Sequence, residues 1–203
     1  METKKFNIFL SWHNDDNAER NHETMSYSLA VAMEYKNFIE LVCNQEITTF
    51  FSAIDTRGRW RDDLEKNLSQ CDYAIFIITD DAMQSGWIHV EYGAFMMKRI
   101  LLKQQDKNDV FVVSELNSDN KTVIRGPIKD TQVFYPEKDT QNGALIPYKK
   151  GFLDFLSQIP GWHPEMREKF ELYYNTFRER IEGYKDFGNK YVAKVDKISP
   201  YPN

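Results

Sequence analysis

Apolar residues fall along this chain in short β-branched and aromatic runs, separated by stretches with helical spacing. Phe6-Asn7-Ile8-Phe9-Leu10-Ser11 runs into the polar group His13–Asn17, which reads as a buried strand entering a loop. Met25, Leu29, Ala32 and Met33 recur at helical spacing and predict a helix over about 23–42. A strand over 47–52 ends at the turn-forming group Asp55-Thr56-Arg57-Gly58, and Trp60, Leu64 and Leu68 mark a short helix. The segment 73–79, YAIFIIT, carries no charge, as expected of a strand covered on both faces in a parallel sheet. A helical stretch over 86–102 follows, then strands over 110–116 and 132–136, and a helix over 151–159 stopped by Pro160-Gly161.

This order predicts an α/β fold: an open, mostly parallel five-stranded sheet with helices on both faces. Ligands of such sheets bind beyond the carboxyl ends of the strands, here near Ser11-Trp12, 52–55 and 79–81. After Pro164 a further helix is predicted to about Lys185, with Phe170, Tyr173, Tyr174, Phe177 and Ile181 on one stripe. That stripe must bury itself, on the sheet's own helices or, less simply, in a dimer contact or a lid. Residues 1–160 therefore read as one domain and 161–203 as a C-terminal helix and tail, the tail lacking strong periodicity.

Composition narrows the function classes. Fourteen Phe, eleven Tyr and four Trp among 203 residues supply a sizeable core, which argues against disorder. Purely apolar runs such as Ala74–Ile78 are far too short to span a bilayer. The N-terminus lacks an apolar segment with a cleavage site, so the expected localisation is cytoplasmic. Cys43 and Cys71 are too few for a disulfide scaffold or a metal knuckle, and are expected as reduced, buried thiols. The net charge is −5, and neither half carries a dense basic stripe. Nucleic acid and membrane are thus not expected as partners; a small ligand or another protein is.

Phosphate-binding glycine loops, dinucleotide fingerprints and nucleophile elbows are missing from the sequence. The four histidines show no metal-ligand spacing, so no metal site is expected. What stands out is Ser85-Gly86-Trp87-Ile88-His89-Val90-Glu91. Trp87 and Glu91 are four apart, hence on one helical face, at the opening of the helix that follows the most apolar strand. Two readings stand side by side: a packed Trp with a solvated Glu, or a carboxylate delivered to the ligand end of the sheet.

The segments FNIFLSWHNDD, ITTFFSAIDTRGRWRDDLEKNL and CDYAIFIITDDAMQSGWIHVEYG, with the strand VFVV, resemble in order and spacing the TIR (Toll/interleukin-1 receptor) domains of bacteria. The resemblance covers roughly residues 4–158. Two departures are Trp12-His13, where an aromatic-Ser pair is more usual, and a loop over 53–59 without the common Pro-Gly. It implies the flavodoxin-like TIR fold and, for many bacterial members, cleavage of NAD at the nicotinamide–ribose bond. Trp87-x-x-x-Glu91 matches the family's catalytic-glutamate motif, making Glu91 the expected catalytic residue. Ser11, Trp12, Phe51, Asp55, Arg57 and Trp87 are the expected substrate contacts, with NAD as substrate rather than cofactor.

The chemistry needs little else. Nicotinamide leaves as a neutral molecule from a cationic pyridinium, so no general acid is required. Positive charge develops on the ribose, and one carboxylate facing it suffices. Water capture gives ADP-ribose; intramolecular capture gives a cyclic ADP-ribose isomer, favoured where water is excluded. The family resemblance further implies self-association, with activity rising faster than linearly with concentration. It also implies a role in antiviral (antiphage) defence, in which a separate effector protein senses the product. Two alternatives remain: a non-catalytic TIR–TIR interaction module, and a nucleoside deoxyribosyltransferase-like enzyme. Glu115, outside the motif, is expected to tolerate substitution.

Overall fold

The structure is a computed structural model that describes residues 6–13, 24–44, 47–51, 66, 68–104, 108–116, 124, 126–136, 148–186 and 191–193. In chain order its strands are β1 (Phe6–Ser11), β2 (Thr24–Ser26), β3 (Ile47–Phe51), β4 (Tyr73–Ile78), β5 (Val110–Ser114), β6 (Val133–Phe134) and β7 (Tyr191–Ala193). Its helices are α1 (Tyr27–Val42), α2 (Asp80–Ser85), α3 (Trp87–Leu101), α4 (Tyr148–Ser157) and α5 (Pro164–Asp186), with a 3-10 turn at Pro127–Asp130.

Five strands form one parallel sheet in the order β3-β1-β4-β5-β6. Numbered within the sheet, that order is 2-1-3-4-5, the flavodoxin-like arrangement. The chain runs outward from β1 to β3, then returns past it to β4, so the topological switch point lies between β1 and β4.

Strand periodicity divides the core in two. Ile8, Leu10, Ile75, Ile77, Phe111 and Val113 face α1, α4 and α5, while Phe9, Ala74, Phe76, Ile78 and Val112 face α3 and the 3-10 turn. The aromatic stripe of α5 belongs to the first of these cores: Phe170, Phe177 and Ile181 are fully buried, and Phe177 stacks on Phe38 of α1 at 4.5 Å. The packing expected of this stripe is thus within the sheet's own helical layer.

Three elements depart from the expectations. β2 and β7, which lack periodicity, pair antiparallel with Thr24 opposite Ala193 and Ser26 opposite Tyr191. The pairing brings the C-terminal segment back to the chain just before α1. Residues 80–85 form a helical turn of their own, capped by the Thr79 side chain, which accepts from Ala82 N–H. Gly86 then adopts φ +69°, a left-handed conformation that ends α2 and lets α3 begin at Trp87 in a new direction. Among the described residues, no helix is long and apolar enough to cross a membrane.

Candidate functional site

The carboxyl ends of β1 and β4 meet α3 at the switch point. Ser11 is the last residue of β1 and shares Phe9's parity, so its side chain lies on the α3 side of the sheet. Glu91, one turn into α3, reaches back to it. Ser11 Oγ donates to Glu91 Oε2 at 2.5 Å, joining residues eighty positions apart. Both side chains are sequestered: Ser11 is fully buried and Glu91 is 3% exposed.

That burial decides between the two readings of the Trp87–Glu91 pair on one point. Glu91 is not a solvated helix-surface residue. A glutamate is almost never this buried unless other groups hold its charge, and a charge-assisted bond from a strand-end hydroxyl is one such hold. Trp87 is half-buried at the first position of α3, where its backbone N–H donates to Ser85 Oγ at 3.2 Å. The αL turn at Gly86 sets the start of the helix, and with it the angular position of Glu91.

The other expected contacts separate. Trp12 follows Ser11 and turns to the opposite face, half-buried against the α1 and α5 core. Phe51 ends β3 opposite Leu10, one position before Ser11; its side chain lies outside the description. Asp55 and Arg57 lie outside the described residues. Ser11 and Glu91 are thus in direct contact, with Trp87 on the same helical face as Glu91, while Trp12 stands on the far side of β1.

Sequence reasoning passed over three features near this point. His13, expected in a polar loop, is 2% exposed just beyond Trp12. Ser28 and Thr79 share a buried hydrogen bond that ties the start of α1 to the end of β4. The Thr79-Asp80-Asp81 sequence carried the signal for this capped turn, a hydroxyl followed by two acids.

The third feature corrects an expectation. Glu115, just past β5, is fully buried within an ionic cluster rather than indifferent. Arg178 of α5 binds its carboxylate through both terminal nitrogens. Tyr35 OH donates to Glu115 Oε1 at 2.7 Å and lies 2.6 Å from Tyr148 OH. Burial, followed by the nearby Glu115 charge, pushes the Tyr35 hydroxyl well above its ordinary pKa. For Arg178, burial is the largest single influence and pulls downward, but the Glu115 carboxylate together with the Tyr148 and Tyr35 hydroxyls outweighs it and keeps the guanidinium charged. The cluster lies on the helix layer opposite α3 and binds the C-terminal helix to the sheet's carboxyl end. No site role was assigned to Arg178, Tyr35 or Tyr148, because no local pattern marks a partner sixty or more residues away.

No protein-family model matches this chain, and no curated protein matches it. The chemical case therefore rests on geometry. Among the described residues, no group of three or more His, Cys, Asp or Glu side chains is placed to hold a metal ion. What the switch point offers is one buried carboxylate, held by a serine, on a helix that begins beside the central strand.

Proposed function

We propose that this protein is a TIR-type enzyme that cleaves NAD at the nicotinamide–ribose bond, with Glu91 as the catalytic residue. The observation that carries the reading is the placement of Glu91: a buried carboxylate at the β1/β4 switch point, oriented by Ser11. Open parallel sheets receive nucleotides at this point. A carboxylate removed from water interacts more strongly with a developing cation than one in bulk solvent.

In this mechanism the C–N bond to the pyridinium breaks and its electron pair leaves with nicotinamide, which departs neutral. The ribosyl carbon becomes cationic, and the Glu91 carboxylate stabilises it. Ser11 holds the carboxylate in one orientation, so little reorganisation accompanies charge development. Trp87 limits water at the mouth of the site. Exclusion of water favours capture by a nucleophile within the substrate over hydrolysis. The product is then a cyclic or conjugated ADP-ribose derivative, fitting a signalling nucleotide read by a separate effector in antiviral defence.

The test is nicotinamide release from NAD, run beside free-base release from deoxynucleosides. NAD cleavage by the wild-type chain, and its loss by about 10²–10³-fold in Glu91→Gln with unchanged melting, is the expected result. Gln retains an oxygen that can accept from Ser11, loses the charge and turns the second oxygen into an amide donor. Base release from deoxynucleosides alone would favour the deoxyribosyltransferase alternative, and neither activity would favour an interaction module.

A further inference from the structure

Helix α3 is apolar on its outward face. Its three charged residues all turn inward: Glu91 to Ser11, Arg99 to the buried Asp109 at 2.8 Å, and Lys98 to the carbonyls of Leu68 and Ser69 at 2.8 and 3.1 Å. Its exposed positions are Val90, Gly93, Ala94, Met97, Ile100 and Leu101, and none is charged or polar. Val90, Met97, Ile100 and Leu101 are 52, 54, 49 and 74% exposed. A helix that is apolar on the outside as well as the inside has the composition of an enclosed helix.

We propose that α3 pairs with α3 of a second copy of this chain, antiparallel, about a two-fold axis passing near Ala94 and Met97. The steps Val90, Ala94, Met97, Leu101 are four, three and four residues, the spacing of a helix–helix seam. A two-fold contact places the same patch on both sides, so any charge near the axis would meet its own copy; among the exposed described positions of α3 there is none. Gly93 and Ala94 at the centre let the backbones approach closely, with Val90 of one copy facing Leu101 of the other. Antiparallel pairing also sets the N-terminal end of each helix dipole beside the C-terminal end of its mate.

The area fits a pair. The exposed side chains amount to roughly 500 Å², at the upper end of what monomers leave bare. Joining two copies removes about 1,000 Å², where biological contacts begin. A lipid surface is the poorer occupant, because the stripe is not flanked by exposed Lys or Arg along the helix. The contact would share one helix with the candidate site, with Glu91 on the inner face and the seam on the outer.

The experiment reads association directly and needs no turnover, so it stands or falls apart from the reaction assigned to Glu91. A contact of this size belongs at the weak end of affinity, and sedimentation of the full chain from about 1 to 100 µM should show monomer giving way to dimer. Met97→Glu should leave a monomer across that range. Ala94→Cys should form a disulfide-linked dimer on mild oxidation, since Cys43 and Cys71 are both buried, whereas Ser157→Cys at the exposed end of α4 should not. A wild-type chain that stays monomeric to 100 µM overturns the proposal. So does a dimer that Met97→Glu leaves intact, or one that Ala94→Cys does not cross-link.

Discussion

At the scale of single residues, the Ser11–Glu91 bond and the Glu115 cluster are the two places where one side chain decides most. In the proposed reaction Ser11 would be a positioning residue, fixing the Glu91 carboxylate through its hydrogen bond without itself meeting the reacting carbon. Ser11→Ala should lower kcat about 10–100-fold with KM little changed, the loss expected when a hydrogen bond to a charged group disappears. Ser11→Thr, which keeps the hydroxyl, should recover most of it. Steady-state kinetics of the two variants checks this, and equal rates in Ala and Thr would remove the positioning role. Glu115→Gln is expected to be costly, not neutral. Removing the Glu115 charge from this buried pair leaves Arg178 with only the more exposed Glu182 as counter-charge, a loss approaching the about 3–5 kcal/mol of a broken buried ion pair. Denaturant unfolding should register it, with Glu168→Gln on the exposed side of α5 as the near-neutral comparison.

Among the elements, the α2–α3 junction controls where the site sits. Gly86 at φ +69° has nothing within 4 Å of where a Cβ would stand, so substitution meets conformational strain alone. Gly86→Ala should therefore destabilise by about 1 kcal/mol, near the cost of a left-handed backbone for a residue with a Cβ. Because α3 starts at this turn, the same change should also weaken activity beyond its effect on stability. Thermal melting and NAD turnover on one preparation separate the two. Intact turnover would mean that the junction does not set the position of Glu91.

At the scale of the whole molecule, the layer formed by α1, α4 and α5 encloses buried tyrosine hydroxyls. Tyr27, Tyr35 and Tyr148 all have pKa values raised by burial; the Glu115 charge adds to the rise at Tyr27 and Tyr35, while at Tyr148 the Arg178 charge works against it. A raised pKa means the folded state keeps the proton that the unfolded chain releases from about pH 10 upward. Their contribution is complete below that pH and declines above it, by about 1.4 kcal/mol per pH unit for each group. Tyrosinate absorbance followed with circular dichroism should show a class of tyrosines that ionise only as the fold is lost. Smooth titration of all eleven near pH 10 with the fold intact would contradict the buried cluster.

The strands β1, β3, β4 and β5 and the helices α1, α3, α4 and α5 were legible from apolar periodicity, because each buries a face whose spacing is local. The same locality put Glu91 one turn from Trp87 on a helix after β4. Pairings between distant segments have no such spacing. Nothing around Thr24 or Tyr191 marks them as partners, since a three-residue strand needs only backbone groups, which every sequence carries. Nor does the spacing of Ser11 and Trp12 tell which one meets Glu91; strand parity against the packed helices sends them to opposite faces. Glu115 looked like any glutamate at a strand end until α5, sixty residues later, laid Arg178 across it. Local order follows from which side chains avoid water. Where a buried charge finds its partner depends on which surfaces the folded chain brings together.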